Sequence, residues 1–127
     1  MADITYLFGY SLFGSNQFSQ LVPLVKNQLT KDKAVNIVLL HDAVIGTGNK
    51  GVTPKSLNEL LDFAYQLKNV GTVTGIEPTV QLHIHVLKED LEARGFTADT
   101  LNSRLIPIDY HKLVDIMDES PKLVSWM

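Results

Sequence analysis

The chain contains no cysteine. Disulfides, thiolate metal sites, a CxxC redox pair and thiol nucleophilic catalysis are therefore excluded within it. Basic charge is not in excess either. Lys and Arg number 11 against 14 Asp and Glu, for a net charge of −3. The charges are mixed along the sequence with no basic stripe, so direct binding to a nucleic-acid backbone is not expected. Long hydrophobic runs are missing: no segment approaches the roughly 20 apolar residues that span a membrane. The amino end lacks the basic and apolar regions of a secretory signal. A soluble, cytoplasmic protein is expected, with no membrane contact. No internal repeat, long linker or low-complexity segment interrupts the chain.

What is present suits a folded domain. At 127 residues and 45% hydrophobic, the chain can bury a real core without a metal or disulfide. One domain over residues 1–127 is the reading. Its organising stretch runs from Val35 to Gly48. An apolar run, Val35 to Leu40, stops at His41-Asp42 and opens into Gly46 and Gly48. A buried parallel strand whose carboxyl end emerges into a crevice has this pattern.

Around it, Asp3 to Tyr10 reads as a first strand. A helix follows, with Phe18, Leu21, Val22, Val25 and Leu29 at helical spacing. Pro23 places its start near Val22, a kink being the alternative. Thr53-Pro54 opens a second helix burying Leu57, Leu60, Leu61, Ala64 and Leu67, with Gly71 as terminator and a short turn to Pro78. Val80 to Leu87 is a third strand. Lys88 to Arg94 is a short helix stopped by Gly95, and Leu105 to Ile108 is a strand that Pro107 moves to an edge. Asp109 caps a last helix with Leu113, Val114 and Met117 inward, before a compact tail, Lys122 to Met127. Strands alternating with helices predict a single α/β doubly wound sandwich with a mostly parallel central sheet and helices on both faces.

Several residues are candidates for chemistry or contact. His41 and Asp42 stand at a strand terminus where a turn can re-aim either into the crevice; a loop cap and a packed imidazole are the competing reading. The amides around Gly46 and Gly48, with Lys50, could cradle an anion, although the spacing matches neither a Walker loop nor a dinucleotide fingerprint. His83 and His85 share a strand face, but no third donor is spaced to complete a metal site, so packing or an interface is the simpler role. Glu89 and Asp90 suit a helix first turn, and Arg94 an anion or an acidic subunit. Trp126 covers the sheet edge or anchors a neighbouring subunit.

Four stretches resemble a known family. Leu39-Leu40-His41-Asp42-Ala43-Val44 looks like its strand followed by a polar residue, aspartate, a small residue and valine. Leu87-Lys88-Glu89-Asp90-Leu91-Glu92-Ala93-Arg94-Gly95-Phe96-Thr97 is similar to its segment with an acidic pair before an Ala-Arg-Gly turn. Ile106-Pro107-Ile108-Asp109-Tyr110 and the stretch from Pro121 to Trp126 extend the likeness. Together they resemble the DsrH/TusB branch of the DsrE/DsrF/DsrH sulfur-relay superfamily. The segment from Gly46 to Glu77 is poorly matched and reads as a family-atypical insertion.

The resemblance implies a small subunit that assembles with DsrE/TusD-like and DsrF/TusC-like partners, in transfer-RNA thiolation or in sulfur oxidation. In such relays the TusD-like partner supplies the cysteine that carries persulfide sulfur, and the TusB-like partner is largely structural. Some DsrH members have a cysteine of their own; this chain has none. A non-catalytic positioning subunit without a cofactor follows, with His41, Asp42, Glu89, Asp90, Arg94 and Trp126 as interface candidates. The alternatives are a self-associating small-ligand-binding protein, or a small hydrolase or transferase using His41 and Asp42.

Overall fold

The computed structural model describes residues 2–51, 53–73 and 81–127, the side chains of 68–73 excepted. Five strands, β1 (Ile4–Phe8), β2 (Val35–Leu39), β3 (Leu82–Leu87), β4 (Ile106–Ile108) and β5 (Leu123–Trp126), form one sheet in the order β4-β3-β2-β1-β5. Every described pairing is parallel. The helices are α1 (Gln17–Thr30), α2 (Lys55–Val73), α3 (Lys88–Ala93) and α4 (Tyr110–Glu119).

Period-two alternation divides the strand residues between two faces. Ile4, Tyr6 and Phe8, with Val35, Ile37, Leu39, Ile84 and Val86, meet the apolar stripes of α1 and α2. Phe8 and Phe18 pack edge to face there, with ring centroids 5.1 Å apart. Leu7, Val38, Leu40, Leu87 and Ile108 face the other way and are covered by Leu113 and Ile116 of α4. Helices thus lie on both faces of an α/β sandwich.

Several boundaries differ from the expectations. Helix α1 starts at Gln17 and carries Pro23 in its interior. The proline removes the bond to the carbonyl of Ser19. Both residues are exposed, so water can satisfy that carbonyl while the apolar stripe continues beneath. Helix α2 runs through Gly71 to Val73, at a cost of about 1 kcal/mol for a glycine inside a helix. The turn expected up to Pro78 falls largely on residues 74–80, outside the described residues. In α4 the inward positions are Leu113 and Ile116, whereas Val114 is 54% exposed. Residues 113 and 116 lie one turn apart on the sheet side, and Val114 is rotated away from them.

The largest difference lies in the expected tail, where residues 123–126 are the strand β5 beside β1. Two calculations from sequence hold closely: Gly95 ends α3 at φ +85, and Pro107 sits on edge strand β4. Asp109 caps α4, its Oδ1 accepting from the Lys112 amide at 2.9 Å. Replacing Asp109 with Ala is expected to lower stability by about 1 kcal/mol, read as a reduced urea midpoint. Asp109→Asn should retain most of it.

Candidate functional site

The carboxyl ends of β2, β3 and β4 are tied together by polar side chains. After Leu40 the backbone turns sharply, with His41 at φ +52, into a 3-10 turn over His41–Val44. Asp90 on α3 holds this turn, its Oδ2 accepting from the His41 amide at 2.7 Å. The His41 imidazole remains outside, with its side chain 62% exposed and Nδ1 3.9 Å from the same oxygen.

Asp42 pairs with Arg94 rather than with His41. Its Oδ1 accepts from Arg94 Nε at 3.2 Å and Nη2 at 3.1 Å. Arg94 Nη1 donates to the carbonyl of Asp90 at 3.2 Å. The end of α3 produces this placement. Leu91 is buried, and Gly95 and Phe96 return their amides to the carbonyls of Glu92 and Leu91, a glycine-terminated helix end. Glu89 Oε2 accepts from the Tyr110 amide at 3.2 Å, linking α3 to the start of α4. Five sequence candidates, His41, Asp42, Glu89, Asp90 and Arg94, therefore share one rim.

The other candidates lie elsewhere. Trp126 is on β5, separated from β2 by β1, and its indole Nε1 donates to Gln17 Oε1 at 2.9 Å. Gly46 has φ +93, and a Cβ there would stand 2.6 Å from the Phe13 ring. The loop beyond it is stitched to residues 100–102: Gly48 bridges Leu101, and Asn49 donates to Thr100 O at 2.7 Å. Asn102 in turn donates to Thr47 O at 2.8 Å. The Asn49 amide is thus already engaged by backbone, and Lys50 is exposed. His83 and His85 stack with centroids 6.3 Å apart. Among the described residues, no group of three or more His, Asp or Glu is gathered to hold a metal, nor is any helix long and apolar enough to cross a membrane.

An apolar element of the same rim escaped the sequence reading. Tyr10, Phe13, Ile45 and Met127 are 39%, 54%, 36% and 51% exposed. Tyr10 packs edge-on to Phe8, and Phe13 lies against Gly46. Met127 and His41 both approach Gly9. The available signal was a pair of aromatics between glycines directly after the first strand. Apolar side chains beside fixed charges have the composition of a protein-contact surface.

Residues 64–123 match the family described as DsrH like protein. The matched span is just under half of the chain and contains Glu89, Asp90 and Arg94. Comparison with curated proteins gave no match. The ychN protein from E. coli shares the fold of this chain. The two align over 99% of this chain and 100% of that one, at 15% identity and a TM-score of 0.70. MTH1491 from Methanobacterium thermoautotrophicum, a protein of unknown function, aligns over 96% of each chain at 12% identity and a TM-score of 0.61.

Proposed function

We propose that this chain is a non-catalytic positioning subunit of a cytoplasmic sulfur-relay assembly. It would act with DsrE/TusD-like and DsrF/TusC-like partners in transfer-RNA thiolation or sulfur oxidation. The observation that carries this reading is a DsrH-like chain with no cysteine. Persulfide transfer needs a thiolate at each station, so the sulfur is carried by a partner.

The chain's contribution is placement. The rim of His41, Asp42, Asp90 and Arg94, with Tyr10, Phe13 and Met127 beside it, is the surface proposed to seat that partner. Holding a partner's cysteine near its acceptor makes transfer effectively intramolecular, and orientation alone can accelerate it by orders of magnitude.

Affinity capture from native lysate, followed by intact-complex mass spectrometry, tests the reading. A stoichiometric complex containing a cysteine-bearing DsrE-like subunit is expected. Recovery as a homomer alone would overturn the proposal in favour of a self-associating binding protein.

A further inference from the structure

The second face of the sheet is only partly covered. In a parallel sheet packed on both faces the strands read as continuous apolar runs. Here Asn36, His83 and His85 interrupt them on the side of α4, and Asn36 and His83 are register partners on β2 and β3. Beside α4 these residues line a cleft of about 460 Å3 together with Gln81, Lys112 and Glu119, a volume within the range of small-molecule sites. The cleft reaches toward the amino ends of β2 and β3, since Ala34 and Gln81 line it. It is separate from the rim of charged residues described above.

His85 gives the cleft its chemical requirement. The side chain belongs to a residue only 7% exposed. Its Nε2 lies 3.4 Å from Asn36 Oδ1, and its Nδ1 is buried without a hydrogen-bond partner among the described residues. In the tautomer that donates from Nε2 to this amide oxygen, Nδ1 keeps a bare lone pair. Burial, followed by the charges of His83 and Lys112, pushes the imidazole down to about 4, so the ring is neutral at physiological pH. A buried unpaired acceptor is costly, and a small tilt of the ring toward the cleft would let a ligand hydroxyl satisfy it.

Charge along the cleft is polarised. Lys112 and Glu119 lie seven residues apart on α4, two turns or about 10 Å along its axis. His83 is exposed and adds a ring N–H donor. Lys112 and His83 suit an anionic head, whereas Glu119 repels a second anionic group and accepts from a donor.

We propose that this cleft binds a small hydroxylated organic anion, its acidic head against Lys112 and His83 and its hydroxyls toward His85 and Glu119. Polar lining of this kind favours such a ligand over an apolar helix from another protein, which would leave these groups unpaired.

Gluconate is a suitable probe, and hexanoate is its control of equal carbon number without hydroxyls. Titrated into the full chain, gluconate is expected to shift the imidazole NMR signals of His83 and His85 saturably. Hexanoate should bind at least about tenfold more weakly, since each lost hydrogen bond to a buried group is worth up to about tenfold. Lys112→Gln should weaken gluconate binding about tenfold, the usual scale for a charge-assisted bond. Glu119→Gln, on α4's last turn, loses the charged acceptor for the hydroxyls, so it should weaken gluconate binding severalfold without weakening hexanoate; it serves if the first variant does not fold. No saturable shift with gluconate, equal binding of both probes, or unchanged gluconate affinity in folded Lys112→Gln or Glu119→Gln would each overturn the proposal. None of these results bears on the partner-subunit reading, so the two can fail separately.

Discussion

Acidification from pH 7 to about 4 is expected to cost the folded chain roughly 3 kcal/mol through one side chain, His85. The buried imidazole titrates near 4 instead of 6.5, first because burial penalises its charged form and then because His83 and Lys112 stand nearby. Between those two pH values the unfolded chain binds a proton that the folded chain does not. Protonation therefore favours unfolding. The contribution is fully present above 6.5 and is lost as the pH falls toward 4, at about 1.4 kcal/mol for each pH unit. Urea midpoints at pH 7.5, 5.5 and 4 should fall steeply for the wild type. His85→Gln cannot titrate and should flatten that slope. Parallel losses in the two proteins would show that other groups, such as carboxylates, drive the acid response.

The largest expected effect on assembly comes from Arg94→Glu. The ion pair with Asp42 is partly exposed, with side chains 27% and 63% accessible. Such pairs add up to about 1 kcal/mol to stability, so the variant should fold with a nearly unchanged urea midpoint. The proposed partner surface changes far more. A cation becomes an anion beside Asp42 and Asp90, and affinity for the cysteine-bearing subunit should fall about 100-fold, the effect of removing one partner of an interfacial charge pair. The double variant Asp42→Arg/Arg94→Glu separates two roles. It restores the internal pair with its charges exchanged. Recovery of binding would mean that Arg94 only braces the turn after β2; continued loss would mean that the partner reads its charge. Undiminished binding by Arg94→Glu alone would remove this rim from the interface.

The parts of the fold that were legible in the sequence are those whose signal is local. Val35 to Leu40 is apolar but for Asn36, and Gly95 after Ala93-Arg94 marks a helix end by its own backbone freedom. Asp42, Asp90 and Arg94 stood out singly at element ends that local signals define, but their pairing across about 50 residues came only with the fold. What escaped depends on distant residues. Strand β5 has only four residues, half-buried and exposed in alternation, and is a strand only because β1 offers it an edge. Pro23 reads locally as a helix start, yet the stripe of Phe18 to Leu29 packed on the sheet outweighs it. The cleft needed the position of α4. His83 and His85 were visible as a pair on one face, but Lys112 and Glu119 approach them only through the crossover.

The pairing of β5 with β1 also fixes an order of events in folding. Thr5 meets Ser120 at a sequence separation of 115, and Gln17 meets Trp126 at 109. A nascent chain that has emerged only as far as α4 can form the β4-β3-β2-β1 part of the sheet, but it leaves one flank of β1 unpaired. That flank, ITYLF, is apolar and rich in β-formers, the composition of an edge that recruits strands from other chains. Protection arrives only with residues 123–126. A chain in which β5 is undocked is therefore exposed to strand pairing with other copies.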